Sequence, residues 1–240
     1  MVDPRTSIID ERLKEIDKIV AVSSGKGGVG KSLIASTLAL ALARKRYNVG
    51  LFDLDFTSPT THTILGIEGA KPKEEEGIVP PMVHGLKYMS IVYYSGEGVV
   101  PLRGTDVSNA LIELLSVARW GRLDFLILDL PPGIGDVTLD LIRLIRGIRF
   151  LIVTTPSRLA FETVRKLVRL LNDLRIPIVG VVENMKMSPS NLIQKQVQEL
   201  GLEYLTEIPY DKELEATIGN VARLSETVLA KKVEQLTSRI

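Results

Sequence analysis

The chain contains no cysteine among its 240 residues. Disulfides, thiolate-bound zinc and iron–sulfur clusters held by the chain's own thiolates are therefore excluded. Histidine is almost as rare, since His62 and His84 are the only two in the sequence. Both are isolated from other metal-ligating residues, which favours a surface or packing role for each of them.

The sequence also lacks an excess of charge and any long apolar run. Lys and Arg number 30 against 29 Asp and Glu, a net charge of +1, so binding to nucleic acid or to an anionic membrane would require a local patch. No apolar run reaches the ~18 residues of a membrane span. Residues 1–17 are charged throughout and contain no signal-peptide core. These absences predict a cytoplasmic protein.

The chain does contain a regular alternation of short apolar runs and longer amphipathic ones. The apolar runs predict strands at residues 18–24, 48–55, 85–94, 123–130, 149–156, 176–184 and 203–209. The amphipathic segments predict helices at residues 32–46, 107–120, 136–147, 159–174, 191–200 and 221–240. Strands that are apolar on both faces and alternate with helices indicate a single α/β domain, doubly wound, with a mostly parallel sheet. Residues 67–81 are polar and proline-rich, which predicts a mobile loop.

The most specific motif is GKGGVGKS at residues 25–32, which follows a predicted strand and opens a predicted helix. It has the pattern Gly-x-x-x-x-Gly-Lys-Ser of a phosphate-binding loop. Glycines let backbone N–H groups converge on one anion, and the helix presents its positive end to that anion. We expect Lys31 to neutralise the β- and γ-phosphates of a nucleotide and the Ser32 hydroxyl to ligate Mg²⁺. The predicted nucleotide-binding residues here are Gly25, Lys26, Gly27, Gly28, Val29, Gly30, Lys31, Ser32 and Leu33.

Acidic residues stand at the ends of two predicted strands, where an α/β sheet places its ligand. Asp53 and Asp55 end the second strand as DLD, and their spacing points both carboxylates to the same side. Such a pair suits the positioning of water and hydrogen bonding to the ligands of Mg²⁺. Asp129 ends the apolar run LDFLILDL, which is the arrangement of an acid that contacts Mg²⁺ directly or through water. The predicted metal-binding residues are Ser32, Asp53 and Asp129.

Two later strand ends indicate where a nucleobase would rest. Asn184 ends the strand at 176–184, and Pro209, Tyr210 and Asp211 end the last strand and follow it. Both segments should lie at the same edge of the sheet as the phosphate loop. Proline and aspartate are also common turn residues, so a purely structural turn at 209–211 is an equally good interpretation.

The motif Lys-Gly-Gly-x-Gly-Lys-Ser at residues 26–32 resembles that of the deviant Walker A ATPases, which include the MinD-type septum-positioning and ParA-type partition ATPases. In that class the first lysine reaches across a nucleotide-sandwich dimer to the partner's phosphates. The resemblance implies this role for Lys26, with a homodimer as the hydrolytic form and ATP and Mg²⁺ as ligands. It also implies that Asp55 orients the attacking water and that Asn184 and residues 209–211 hold the adenine. The implied catalytic residues are Lys26, Lys31 and Asp55.

Within this class the sequence is most similar to the Mrp-type (ApbC-like) proteins, ATPases that carry or assemble iron–sulfur clusters. The similarity covers most of residues 18–236. We therefore expect a P-loop ATPase domain at residues 18–240, preceded by a charged leader at residues 1–17. It rests on these segments, which keep the family's order and spacing: GIVPPMVHGLKYMSI, PLRG, WGRLDFLILDLPPGIGD, TTP and GVVENM. The resemblance implies a slow, dimer-dependent ATPase of iron–sulfur cluster assembly.

Two departures from the family pattern bear on function. The family's first switch reads Asp-x-Asp-x-x-Gly-Pro-Ser, whereas this chain has Ser58 in place of the glycine and Thr60 in place of the serine. The family usually continues ENM with a Cys-x-x-Cys pair that holds a cluster across the dimer, but residues 186–191 read KMSPSN. Met187 cannot replace a thiolate. We therefore expect no iron–sulfur cluster on this chain alone, and either a thiol-bearing partner or a different cargo.

Two other functions are compatible with the sequence. A positioning ATPase acting on DNA or a membrane would find support in one basic predicted helix, which carries Arg158, Arg165, Lys166 and Arg169. A solvated, salt-paired face explains these residues as well, and the last predicted helix lacks the strong basic face of a lipid-binding helix. We therefore expect no stable nucleic-acid or membrane binding. A small-molecule kinase or synthetase on the same scaffold is the remaining alternative, but no second substrate site can be identified.

Overall fold

A computed structural model describes residues 3–95 and 104–240 of the chain, so residues 101–103 of the PLRG segment lie outside it. The strands are β1 (Ile16–Ser24), β2 (Val49–Asp53), β3 (Lys73–Glu74), β4 (Ile78–Val79), β5 (Met82–Val83), β6 (Leu86–Ser90), β7 (Leu123–Asp129), β8 (Arg149–Thr154), β9 (Ile178–Lys186) and β10 (Tyr204–Pro209). The helices are α1 (Arg5–Leu13), α2 (Lys31–Arg44), α3 (Thr61–Leu65), α4 (Val92–Ser95), α5 (Thr105–Val117), α6 (Asp136–Leu144), α7 (Arg158–Asp173), α8 (Leu192–Glu199), α9 (Val221–Glu226) and α10 (Val228–Leu236). A 3₁₀ turn spans Leu214–Thr217.

The described strands form one large sheet and one small ribbon. The large sheet has eight strands in the order β10-β9-β8-β1-β7-β2-β6-β5. Its neighbouring strands run parallel, except that β5 pairs antiparallel with β6. Strands β3 and β4 form the separate antiparallel ribbon. The predicted doubly wound, mostly parallel α/β fold is confirmed.

Helices cover both faces of the large sheet, which explains why its central strands are apolar throughout. On β1, Ile19 and Ala21 belong to the apolar core of one face, while Val20 and Val22 belong to the core of the other. Helices α1, α5, α6, α7 and α8 supply the first core, and α2, α3, α9 and α10 supply the second. In the described part of the chain, no helix is long and apolar enough to cross a membrane.

Two predicted elements end earlier than their apolar patterns suggest. The strand predicted at 85–94 ends at Ser90, and α4 follows it. The helix predicted at 221–240 is divided into α9 and α10 at Thr227, whose backbone is extended with φ −66° and ψ 158°. The Thr227 hydroxyl accepts a hydrogen bond from the Ala230 N–H at 3.1 Å. A threonine in this role begins a new helix, so the capping preference overrides the continuous apolar periodicity.

Two segments are more ordered than the sequence suggested. Helix α1 lies in the supposed leader, yet Ile9 is fully buried beside α5, and β1 already begins at Ile16. The loop predicted at 67–81 contains the β3–β4 ribbon. The Arg119 guanidinium donates a hydrogen bond to the carbonyl oxygen of Glu75, between the two strands, at 2.9 Å. The segment predicted as a loop therefore contains a short ribbon, to which an arginine distant in sequence is hydrogen-bonded.

Candidate functional site

A cavity of about 740 Å³ opens at the edge of the sheet where the parallel strands have their carboxyl ends. Gly25, Asp53 and Asp129 are the predicted site residues that do not line this cavity. The other predicted residues line it: Lys26, Gly27, Gly28, Val29, Gly30, Lys31, Ser32, Leu33, Asp55, Asn184, Pro209, Tyr210 and Asp211. The structure thus brings the phosphate loop, one switch acid and both predicted base segments to a single cavity.

The phosphate loop has a backbone that requires glycine at two positions. Gly28 and Gly30 have φ angles of 75° and 84°, in the left-handed region that residues with a Cβ adopt at a cost. At Gly30 a Cβ would also collide with the side-chain amide of Asn184, whereas Gly28 faces open space. The loop therefore curls between β1 and α2, and the first residues of α2, Lys31, Ser32 and Leu33, line the cavity.

Lys31 and Asp129 form a buried ion pair behind the phosphate loop. Lys31 Nζ lies 2.7 Å from Asp129 Oδ1 and 3.2 Å from Ser32 Oγ. Burial raises the pKa of Asp129 to about 7, although the Lys31 ammonium opposes this rise. The second carboxylate oxygen, Oδ2, is buried and has no hydrogen-bond partner among the described residues. Lys31 lines the cavity, whereas Asp129 lies behind it.

Asp53 and Asp55 lie two residues apart but have different surroundings. Asp53 is fully buried and its carboxylate accepts hydrogen bonds from the N–H groups of Asp55, Thr60 and Thr61 at 3.1, 3.2 and 3.1 Å. Burial raises the pKa of Asp53, while the hydrogen bonds from Thr61 oppose the rise. Asp55 lines the cavity, and its Oδ1 accepts from Thr57 Oγ1 at 2.7 Å and from the Ser58 N–H at 3.0 Å. Asp53 therefore holds the loop together, and Asp55 faces the ligand space.

Lys26 is exposed at the mouth of the cavity. Its backbone carbonyl accepts a hydrogen bond from Ser24 Oγ at 2.9 Å, which fixes the main chain of the loop. Within residues 3–95 and 104–240, no carboxylate pairs with its ammonium group. The two lysines of the loop therefore differ sharply, since Lys31 is buried and paired while Lys26 projects outward.

The other end of the cavity is formed by the two segments predicted to hold a base. Asn184 is buried, and its Nδ2 donates a hydrogen bond to the Val29 carbonyl at 2.9 Å, which joins the base end to the phosphate loop. Tyr210 is 50% exposed, and its N–H donates to the Lys186 carbonyl at 3.0 Å. Asp211 Oδ1 accepts from the Glu213 N–H at 2.9 Å. Pro209 ends β10, Tyr210 and Asp211 follow it, and the Asp211 carboxylate caps the turn at residues 212–213. The three residues also line the cavity, so a structural role and a place at the ligand site are compatible here.

Several further residues that are not predicted site residues line the cavity. Met185, Thr63 and Ile64 do so, together with residues of the 3₁₀ turn, and Met185 has a positive φ of 58°. The positive φ of Met185 has no sequence signal, because methionine seldom adopts it. Thr63 and Ile64 lie on α3, and only the tertiary fold brings this helix to the cavity.

The fold and the cavity together define the class of protein. A glycine loop between a central parallel strand and a helix, with a buried lysine and an acid at the end of a neighbouring strand, is the site of a P-loop nucleotide-binding protein. Residues 15–240 match the ParA family, described as NUBPL iron-transfer P-loop NTPase. The chain belongs to this family.

The names of curated relatives are consistent with this family. A Pseudomonas fragi protein named iron-sulfur cluster carrier protein is 38% identical over 87% of this chain and 78% of its own length. A protein of the same name from Aquifex aeolicus is 36% identical over 85% of this chain, which spans 60% of that longer relative.

Solved structures match the fold over nearly the whole chain. An Archaeoglobus fulgidus nucleotide-binding protein in complex with ADP has a TM-score of 0.78 at 30% identity, with 92% of this chain and 93% of that chain covered. The septum site-determining protein MinD of Pyrococcus horikoshii, complexed with Mg-ADP, has a TM-score of 0.67 at 20% identity over 92% of this chain and 94% of its own. The second likeness shows the fold alone.

Proposed function

We propose that this chain is a cytoplasmic ATPase that hydrolyses ATP to ADP and phosphate as a nucleotide-sandwich homodimer. The observation that carries the proposal is the buried Lys31–Asp129 pair beside a cavity that Asp55 also lines. A lysine at this place neutralises charge on the β- and γ-phosphates, and an acid facing the terminal phosphate can orient a water molecule for attack. The resemblance of residues 26–32 to the deviant Walker A motif supports a role for Lys26 in the partner's site.

The residues around the Lys31 ammonium fit a magnesium ion. Mg²⁺ prefers oxygen ligands, and both the Ser32 hydroxyl and the unpartnered Oδ2 of Asp129 are oxygen donors at the phosphate end. We propose that Ser32 and Asp129 hold the ion, directly or through water. We also propose that Asp53, which does not line the cavity, supports the metal site from the protein interior. When bound, Mg²⁺ would neutralise phosphate charge and so assist departure of the ADP leaving group.

The dimer requirement is tested by measuring phosphate release over a range of protein concentrations. If each site needs a residue from the partner, the rate per chain should rise with concentration and level off where sedimentation shows the dimer. Omission of Mg²⁺ should abolish the rate. A rate per chain that stays constant from monomer to dimer would contradict the homodimer, and absence of ATP hydrolysis would contradict the proposed activity itself.

The cargo of the ATPase is proposed from the relatives, several of which are named iron-sulfur cluster carrier proteins. Clusters are held mostly by cysteine thiolates, and this chain has none. Neither His62 nor His84 lines the cavity, and no group of three or more His, Cys, Asp or Glu residues suited to a metal ion occurs among the described residues. We therefore propose that a thiol-bearing partner supplies the cluster ligands, or that the cargo is different.

The chain alone, purified anaerobically and reconstituted with iron and sulfide, is expected to hold no stable cluster after gel filtration. A matched control is the double variant Ser188→Cys/Asn191→Cys, which creates a Cys-x-x-Cys spacing in an exposed segment and should gain cluster absorbance. Iron and sulfide near one cluster per dimer in the unaltered chain, with a charge-transfer band, would contradict this prediction.

The alternative function on DNA or a membrane would use the basic side of α7. Arg165 there pairs with Glu162 at 3.5 Å and lies over the Phe161 ring. Because one of the four basic side chains is already engaged within the helix, we propose no stable binding to nucleic acid or lipid. Pelleting of the chain with DNA or anionic vesicles only when ATP is present would support the alternative.

A further inference from the structure

The carboxylate of Asp53 ties together both ends of a short loop. Its Oδ1 accepts from the Asp55 N–H at 3.1 Å, and its Oδ2 accepts from the Thr60 N–H at 3.2 Å and the Thr61 N–H at 3.1 Å. The loop that carries Asp55 therefore begins and ends on one buried side chain. Its position depends on the orientation of that carboxylate.

A fourth hydrogen bond to this carboxylate comes from the Thr61 side chain. Thr61 Oγ1 donates to Asp53 Oδ2 at 2.7 Å and lies 2.8 Å from the Tyr88 phenol oxygen. A carboxylate only accepts, so the threonine proton is used on Asp53 and the phenol must donate to the threonine. Burial raises the pKa of Tyr88, and the nearby Asp53 adds to the rise, so the phenol keeps the proton that it donates.

The resulting chain of hydrogen bonds runs from β6 to β2 through α3. Thr61 and Tyr88 are both fully buried and do not line the cavity, so neither can touch a bound nucleotide. Their hydrogen bonds lead to Asp53, which also accepts from the loop that carries Asp55. Consecutive hydrogen bonds in a buried setting strengthen one another and restrict the groups that they join.

We propose that Thr61 is a positioning residue for ATP hydrolysis: with Tyr88 behind it, its hydroxyl fixes the Asp53 carboxylate, which in turn holds Asp55 toward the ligand. This inference rests on the proposed function, because Asp55 is the residue proposed to orient water. It extends that function to residues with no ligand contact. Serine at position 61 would keep the hydroxyl, and valine would keep the shape without it.

The test compares Thr61→Val with Thr61→Ser in kcat and in ATP affinity. Loss of a buried hydrogen bond to a carboxylate should lower kcat by about tenfold in Thr61→Val, while the ATP dissociation constant stays within about twofold. Thr61→Ser should recover most of the rate. The control is Thr37→Val on α2, because the buried Thr37 hydroxyl has no partner among the described residues; its kcat should equal that of the wild type.

Hydrogen exchange of the peptide covering residues 54–61 provides a readout that does not depend on hydrolysis. Thr61→Val should speed exchange there by about tenfold, because the amides of Asp55, Thr60 and Thr61 lose a fixed acceptor. If the wild type hydrolyses no ATP, the proposed function fails and this exchange still decides the positioning role.

Should Thr61→Val fold poorly, Tyr88→Phe removes only the phenol donor and should lower kcat by about threefold. Unchanged kcat and unchanged exchange in these variants, or a Thr61→Ser variant as slow as Thr61→Val, would overturn the inference.

Discussion

Lys31→Ala should abolish tight ATP binding, with a dissociation constant at least ~100-fold higher than that of the wild type, or ~3 kcal/mol. The reason is that the phosphates lose their nearest cation, the ammonium that lies 2.7 Å from the buried Asp129. Titration calorimetry with ATP and Mg²⁺ measures the change. Retention of the wild-type affinity would contradict the assignment of this loop to phosphate binding.

The fold of the Lys31→Ala protein should survive, which keeps the binding measurement interpretable. Removing one partner of a buried ion pair costs about 3–5 kcal/mol when the other charge persists. Asp129 can instead take up a proton, because burial already raises its pKa to about 7. The matched control is Ser32→Ala, which removes a proposed metal ligand and leaves the cation in place. It should bind nucleotide and respond more weakly to added Mg²⁺.

The parts of the site that could be predicted from sequence are those encoded by local patterns. GKGGVGKS specifies its own backbone through glycines at φ 75° and 84°, and it lies where a strand turns into a helix. The acids at 53, 55 and 129 end apolar runs, and parallel strands bring their carboxyl ends to one edge. The fold class follows from the same apolar runs, since both faces of β1 are buried.

The parts that could not be predicted depend on contacts between distant segments. Nothing near Asp53 in the sequence indicates that its carboxylate accepts from Thr60 and Thr61, or that Tyr88 stands behind Thr61. The order of residues 73–79 likewise depends on Arg119, which is remote in the chain. Thr227 divides the last helix through a side-chain cap that competes with a strong apolar periodicity. Propensity and periodicity describe neighbours in sequence, and these interactions lie outside them.

Lys26 offers the sharpest test of how two copies of the chain combine. It is exposed at the mouth of the cavity, and its ammonium has no carboxylate partner in the part of the chain that the structure describes. Lys31 is already proposed to neutralise the phosphates from within the same loop. A second lysine on the outside is therefore suited to stabilise charge in a facing copy, where one added cation can contribute several kcal/mol to phosphoryl transfer.

Lys26→Ala and Asp55→Ala should each bind ATP but hydrolyse it slowly, and an equal mixture of the two should regain activity. In a mixed dimer, the site that keeps Asp55 receives an intact Lys26 from the partner, whereas the other site lacks both residues. With random exchange, half of the dimers are mixed and each has one working site, so the rate should approach about one quarter of wild type. Phosphate release after co-incubation measures this recovery.

Mixing Lys26→Ala with the double variant Lys26→Ala/Asp55→Ala is the control, since no dimer then contains Lys26. If the first mixture stays as slow as its components while sedimentation shows exchanged dimers, Lys26 acts within its own subunit and the proposed composite site is wrong.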